Sequence, residues 1–95
     1  MVIGIGIITF RIHDCRSLKQ KRSVVKALVR QIQKNFNASV AEVGAHDIYQ
    51  KVEIGFSMVG TDHRLINSKS DKILNMLDDA GLAEIVDNEL EIIHL

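Results

Sequence analysis

Hydrophobic and polar positions repeat along the chain with two periods, and the switches between them mark six elements. Residues 2–13, VIGIGIITFRIH, are rich in β-branched side chains and predict a strand. Gly4, Gly6, Ile8, Phe10 and Ile12 share one face of it; Ile3, Ile5, Ile7, Thr9 and Arg11 share the other. Both faces are apolar in the first half, as in a strand at the centre of a sheet. From residue 15 the period becomes helical. Leu18, Val25, Leu28, Val29, Ile32 and Phe36 form one apolar stripe, with Ser17 placed to cap a helix that runs to about Asn35. Residues 38–43, ASVAEV, predict a short strand and 44–50 a loop. Residues 51–59 alternate cleanly, with Val52, Ile54, Phe56 and Met58 inward. Thr61 or Asp62 caps a second helix to about Asp79, with Leu65, Ile66, Ile73, Leu74 and Leu77 buried and Gly81 as its C′ residue. Residues 84–94 predict the last strand, with Val86, Leu90 and Ile92 toward the core and Asp87, Glu89 and Glu91 outward.

The order βαββαβ closes, through two right-handed crossovers and a hairpin, into a single domain spanning residues 1–95. The expected fold is a ferredoxin-like α+β sandwich: a four-stranded antiparallel sheet of order 4-1-3-2 with both helices on one face. The other face is left open. Antiparallel pairing of the first and last strands places Ile93 near Ile3, so Ile3, Ile5, Ile7 and Ile93 are expected to form an exposed apolar patch that a homodimer would cover.

Composition adds little until it is divided by position. The formal net charge is zero. Residues 1–34 hold eight basic residues against Asp14 alone, a balance of +7; residues 35–95 hold four basic and eleven acidic residues, a balance of −7. Such asymmetry marks a charged interaction surface. Cys15 is the only cysteine, which excludes an intramolecular disulfide. The apolar start lacks a charged leading region and is too short to span a bilayer, so a cytoplasmic location and no membrane partner are expected.

The charge concentrates on the first helix. Lys19, Arg22, Lys26, Arg30 and Lys34 form a second stripe beside the apolar one, Arg16 and Lys21 add charge near its start, and no acid occurs from Leu18 to Lys34. Arg22/Lys26, Lys26/Arg30 and Arg30/Lys34 are like-charge pairs four apart, each destabilising the helix by about 0.2–0.5 kcal/mol. Solvation, an acidic partner from the second half, or a polyanion could each offset that cost. The polyanion reading makes these seven residues a site for nucleic-acid phosphates, with RNA or a ribosomal particle as the partner. Base stacking on sheet aromatics is not expected, because Phe10 and Phe56 fall on the core face.

Other candidate chemistry is thin. Cys15 precedes a helix beside Arg16 and Lys19, but a catalytic thiol also needs a base within reach. His13, His46, His63 and His94 show no paired ligand spacing, so no metal or other cofactor is expected. Gly4 and Gly6 lie within a strand and are no phosphate loop; they fit a close approach of sheet and helix. Acylphosphatases share the expected topology and cradle phosphate with an arginine-bearing loop after the first strand. Here that loop reads HDCRS, with Arg16 but no glycine-rich cradle. Topology alone does not carry activity, and the protein is expected not to be an enzyme. A self-associating scaffold is the alternative to nucleic-acid binding.

Several segments resemble one family. Cys15-Arg16-Ser17-Leu18-Lys19 with Lys21-Arg22-Ser23-Val24, then Phe36-Asn37 and Ser39-Val40-Ala41-Glu42-Val43, are similar to the YlxP-like bacterial proteins; Asp47, Gln50, Ile54-Gly55 and Asp62 continue the likeness. The resemblance covers essentially the whole chain and implies the same ferredoxin-like fold. It implies no known activity. Members are often encoded beside translation-initiation and ribosome-maturation factors, which points toward RNA or ribosome contact. Two departures are Tyr49, where a tryptophan is common, and the apolar run Ile3-Ile5-Ile7 on the outward side of the first strand.

Overall fold

A strand that is apolar on both faces needs neighbours on both edges, and β1 (Val2–Arg11) has them. In the computed structural model, which describes residues 1–95, it pairs antiparallel with β3 (Lys51–Gly60) on one side and with β4 (Glu84–His94) on the other. β2 (Ser39–Gly44) completes the sheet beyond β3, giving the order β2-β3-β1-β4 with every neighbouring pair antiparallel. Helices α1 (Leu18–Asn35) and α2 (His63–Ala80) supply the two crossovers. α1 packs over β2; α2 packs over β1, β3 and β4. The architecture is ferredoxin-like, as the element order implies.

Local chemistry sets the helix ends. Ser17 Oγ accepts from the Gln20 N–H at 3.1 Å, and Gln20 Oε1 accepts from the Arg16 N–H at 2.8 Å, so two orphan donors at the start of α1 are satisfied by one Ser-x-x-Gln pair. Asp62 caps α2 by accepting from the Arg64 N–H at 2.8 Å. α2 ends on Gly81 at φ 65°, a left-handed conformation that costs glycine nothing.

One core fills the space between sheet and helices. Val2, Ile8, Phe10 and Ile12 meet Val52, Ile54, Phe56 and Met58 from β3, Leu28 and Ile32 from α1, and Ile66, Ile73 and Leu77 from α2. Gly4 and Gly6 leave room at one end of β1. A Cβ on Gly4 would lie 2.5 Å from Ile66 Cγ2, and one on Gly6 would lie 2.5 Å from the Phe56 ring. The helix and the aromatic ring therefore rest directly on the β1 backbone.

Two expected positions differ. Val86 does not face the core. β4 carries one extra residue between Asp87, opposite Thr9, and Ile85, opposite Phe10; Ile85 packs on the core and Val86 is 49% exposed. A β-bulge of this kind shifts every side chain beyond it by one position. Leu65 is likewise 49% exposed, because the buried stripe of α2 runs through Ile66, Ser70, Ile73 and Leu77. Ser70 is tolerated there because its hydroxyl donates to the Ile66 carbonyl at 3.0 Å.

Truncating Leu28 or Ile32 to Ala is expected to cost about 2–5 kcal/mol in chemical denaturation, and Leu65→Ala less than about 1 kcal/mol. Equal losses at all three positions would contradict the packing described.

Candidate nucleic-acid interface

α1 presents its cations as the sequence spacing requires. Arg16, Lys19, Arg22, Lys26, Arg30 and Lys34 are all exposed. From Lys19 to Lys34 they span about 22 Å of helix at 1.5 Å per residue. No carboxylate lies within 4.0 Å of any of the six; every ion pair of the chain involves other cations. The first turn of α1 holds no acid either, so Arg16 and Lys19 sit uncompensated at the positive end of the helix dipole.

Lys21 departs from the expected set. Its side chain is 2% exposed, and its ammonium donates to the carbonyls of Ala45 and of Ile48, the latter at 2.7 Å. Glu42 Oε2 lies 3.4 Å from the same nitrogen as an ion pair, shut off from solvent and accepting no hydrogen bond. Lys21 therefore cannot reach a phosphate. It ties α1 to the β2–β3 loop, where Ala45 adopts a left-handed φ of 55°. That conformation is unusual outside glycine, and the ammonium holds the Ala45 carbonyl that it presents. Gln50 fixes the other side of the loop: its side-chain amide donates to the Cys15 carbonyl, and its own carbonyl accepts from the Ile12 N–H, both at 2.9 Å.

The sequence carried a signal for this. Lys21 falls three residues after Leu18 and four before Val25, on the line that continues through Leu28 and Ile32. It belongs to the apolar stripe by position, and Glu42 shares the inward face of β2 with Val40. Beside the pair lies a cleft of about 320 Å³ between α1 and the loop, lined by Leu18, Arg22, Val25, Lys26, His46 and Asp47 as well as by the pair itself. His46 Nε2 stands 4.0 Å from the Glu42 carboxylate.

Phe10 and Phe56 are buried, so the open sheet face offers no ring for base stacking. The Cys15 thiol is buried and reaches only the Ser17 carbonyl, at 3.5 Å. Sequence spacing gave no sign of one pair: His63 opens α2 and His94 ends β4, and their rings stack with centroids 5.0 Å apart and Nδ1 to Nε2 at 2.8 Å. Thirty-one residues separate them, so only the fold brings them together. Ile3, Ile5, Ile7 and Ile93 lie on the open face, with Ile3 opposite both Ile93 and Val59. No helix is long and apolar enough to cross a membrane.

The fold and this helix define a small ferredoxin-like protein with a basic face. The chain belongs to the family of proteins of unknown function DUF503, whose model matches residues 3–90. A protein of Bacillus subtilis (strain 168), described as uncharacterized protein YlxP, is 30% identical over 77 residues, covering 81% of this chain and 84% of the relative. The likeness read from the sequence segments is thus borne out. In architecture the chain is similar to part of a VAO-type flavoprotein from Myceliophthora thermophila C1, with a TM-score of 0.58 and 14% identity over 97% of this chain and 16% of that one. It is similar also to the de novo designed protein Foldit4, with a TM-score of 0.56 and 11% identity over 100% and 99% of the two chains. Both likenesses show the fold alone.

Lys21→Met is expected to lower stability by about 2–4 kcal/mol, since it strands the Glu42 carboxylate in a desolvated place. Adding Glu42→Leu to it should restore part of the loss. A single variant as stable as the wild type in urea would show that the pair does not anchor the loop.

Proposed function

We propose that this protein binds RNA, as a free molecule or within a ribosomal particle, through the phosphates along α1, and that it acts by binding rather than by catalysis. One observation carries the reading. Five exposed cations line one helix and Arg16 stands just before its cap; none of the six has a carboxylate within 4.0 Å, and the ladder of like charges destabilises the helix that bears it. The fold does not need that ladder, because the one cation that serves the fold is Lys21. A polyanion relieves the repulsion, and release of its counterions supplies the affinity. Arg16, Lys19, Arg22, Lys26, Arg30 and Lys34 are the contact residues. With no aromatic ring on the open sheet face and contacts made by a row of cations, recognition follows backbone shape and charge more than base sequence.

The test is a salt titration against a structured ribosomal RNA fragment, read by fluorescence anisotropy. If about four phosphates are neutralised, log affinity falls with log salt at a slope of roughly −3 to −4, less steeply on a single strand. Lys26→Ala flattens the slope by about one unit. Lys26→Glu with Arg30→Glu abolishes binding while the circular dichroism spectrum is kept. Absence of binding by the wild type at low salt would end this reading.

A further inference from the structure

The sheet face opposite the helices has a relief that fits a second copy of itself. Ile5 and Ile7 of β1 form a ridge: across from them on β3 stand only Ser57 and Gly55, and beyond those, on β2, Ser39 and Ala41. This side of the ridge is a trough of about 260 Å³, with the half-exposed Val43 at its end. On the other side β4 sets Glu91 and Glu89 beside the same two isoleucines. At one end of the ridge, Ile3, Val59 and Ile93 make an apolar row across three strands, with Val59 65% exposed.

We propose that two copies of the chain pack open face to open face about a two-fold axis parallel to the strands. That axis lays the β1 ridge of each copy on the β3–β2 trough of the other, and β4 of each over β2 of the other. Charge selects it over the alternative. A two-fold axis across the strands would stack β4 on β4 and set Glu89 against Glu91, whereas the parallel axis sets Glu91 over Ser39 and Glu89 over Ala41. Shape selects it as well, because ridge on ridge would leave both troughs empty. The area suffices. Three strands of ten or eleven residues and the six-residue β2, at about 3.4 Å per residue and about 4.8 Å spacing, make a face of roughly 600 Å², so about 1,200 Å² is covered in the pair. Stable interfaces bury about 1,200–2,000 Å². The proposal is independent of RNA binding, since the axis leaves both α1 helices on the outer surfaces.

Sedimentation equilibrium from low to roughly 200 µM protein, where a dimer of micromolar Kd is essentially associated, tests it. The wild type is expected to be a dimer, and Ile5→Glu a monomer. Ser57→Arg fills the trough while keeping both ridge isoleucines and is also expected to be a monomer, which guards against a folding defect of the first variant. Ser39→Lys brings an ammonium under the partner's Glu91 and is expected to tighten the dimer several-fold at low salt, an effect lost in the double variant with Glu91→Gln. A monomeric wild type would overturn the proposal, leaving the face to another partner. A dimer that Ile5→Glu and Ser57→Arg leave intact, or one that Ser39→Lys does not tighten, would overturn it too.

Discussion

Close contact with a bare backbone at the centre of the sheet decides which way this molecule faces. Gly4 and Gly6 let Ile66 and the Phe56 ring settle on β1, at distances that a single methyl group would forbid. Farther along the same strand face, Ile8 and Phe10 are large and fully buried. The strand is thus hollow where α2 leans in and full where the rest of the core closes. Once that side is committed to the helices, the odd-numbered residues of β1 have nothing of this chain to cover them. The basic helix and the apolar sheet face are then on opposite sides of the same thin sandwich.

Lys21 shows how a charged helix can still be a structural one. Its ammonium is surrounded by two loop carbonyls and the Glu42 carboxylate, so desolvation is offset by specific partners. The neighbouring cations have no such partners. A count of basic residues along α1 mixes two kinds of charge, one consumed by the fold and five left to the surroundings. The distinction rests on a helical position: Lys21 is in line with the fully buried Leu28 and Ile32, and the others are not.

Much of the fold could be read from the chain because its local signals agree. The Ser17 and Asp62 caps, Gly81 and the alternation of β3 all lie where propensity and period together put them. Val86 could not be placed, since a run of two β-branched residues in Glu84-Ile85-Val86 fits either face and a bulge leaves no mark in composition. The outward cations of α1 were legible; the inward one was misread because charge was weighed before position. The His63–His94 contact and the clamp on the 44–50 loop depend on tertiary approach across tens of residues, which no local period encodes.

The two bulges are on the two edge strands. β2 has an extra residue between Glu42 and Gly44, and β4 one between Ile85 and Asp87; each is a half-exposed valine. β2 is also only six residues long, and the β4 edge is strewn with Glu84, Asp87, Glu89 and Glu91. Neither margin offers the straight, uncharged row of amides and carbonyls that lets sheets join end on end. Growth into continuous cross-β ribbons is disfavoured at both margins, so a chain with so much isoleucine on one surface is steered away from edge-to-edge fibrils.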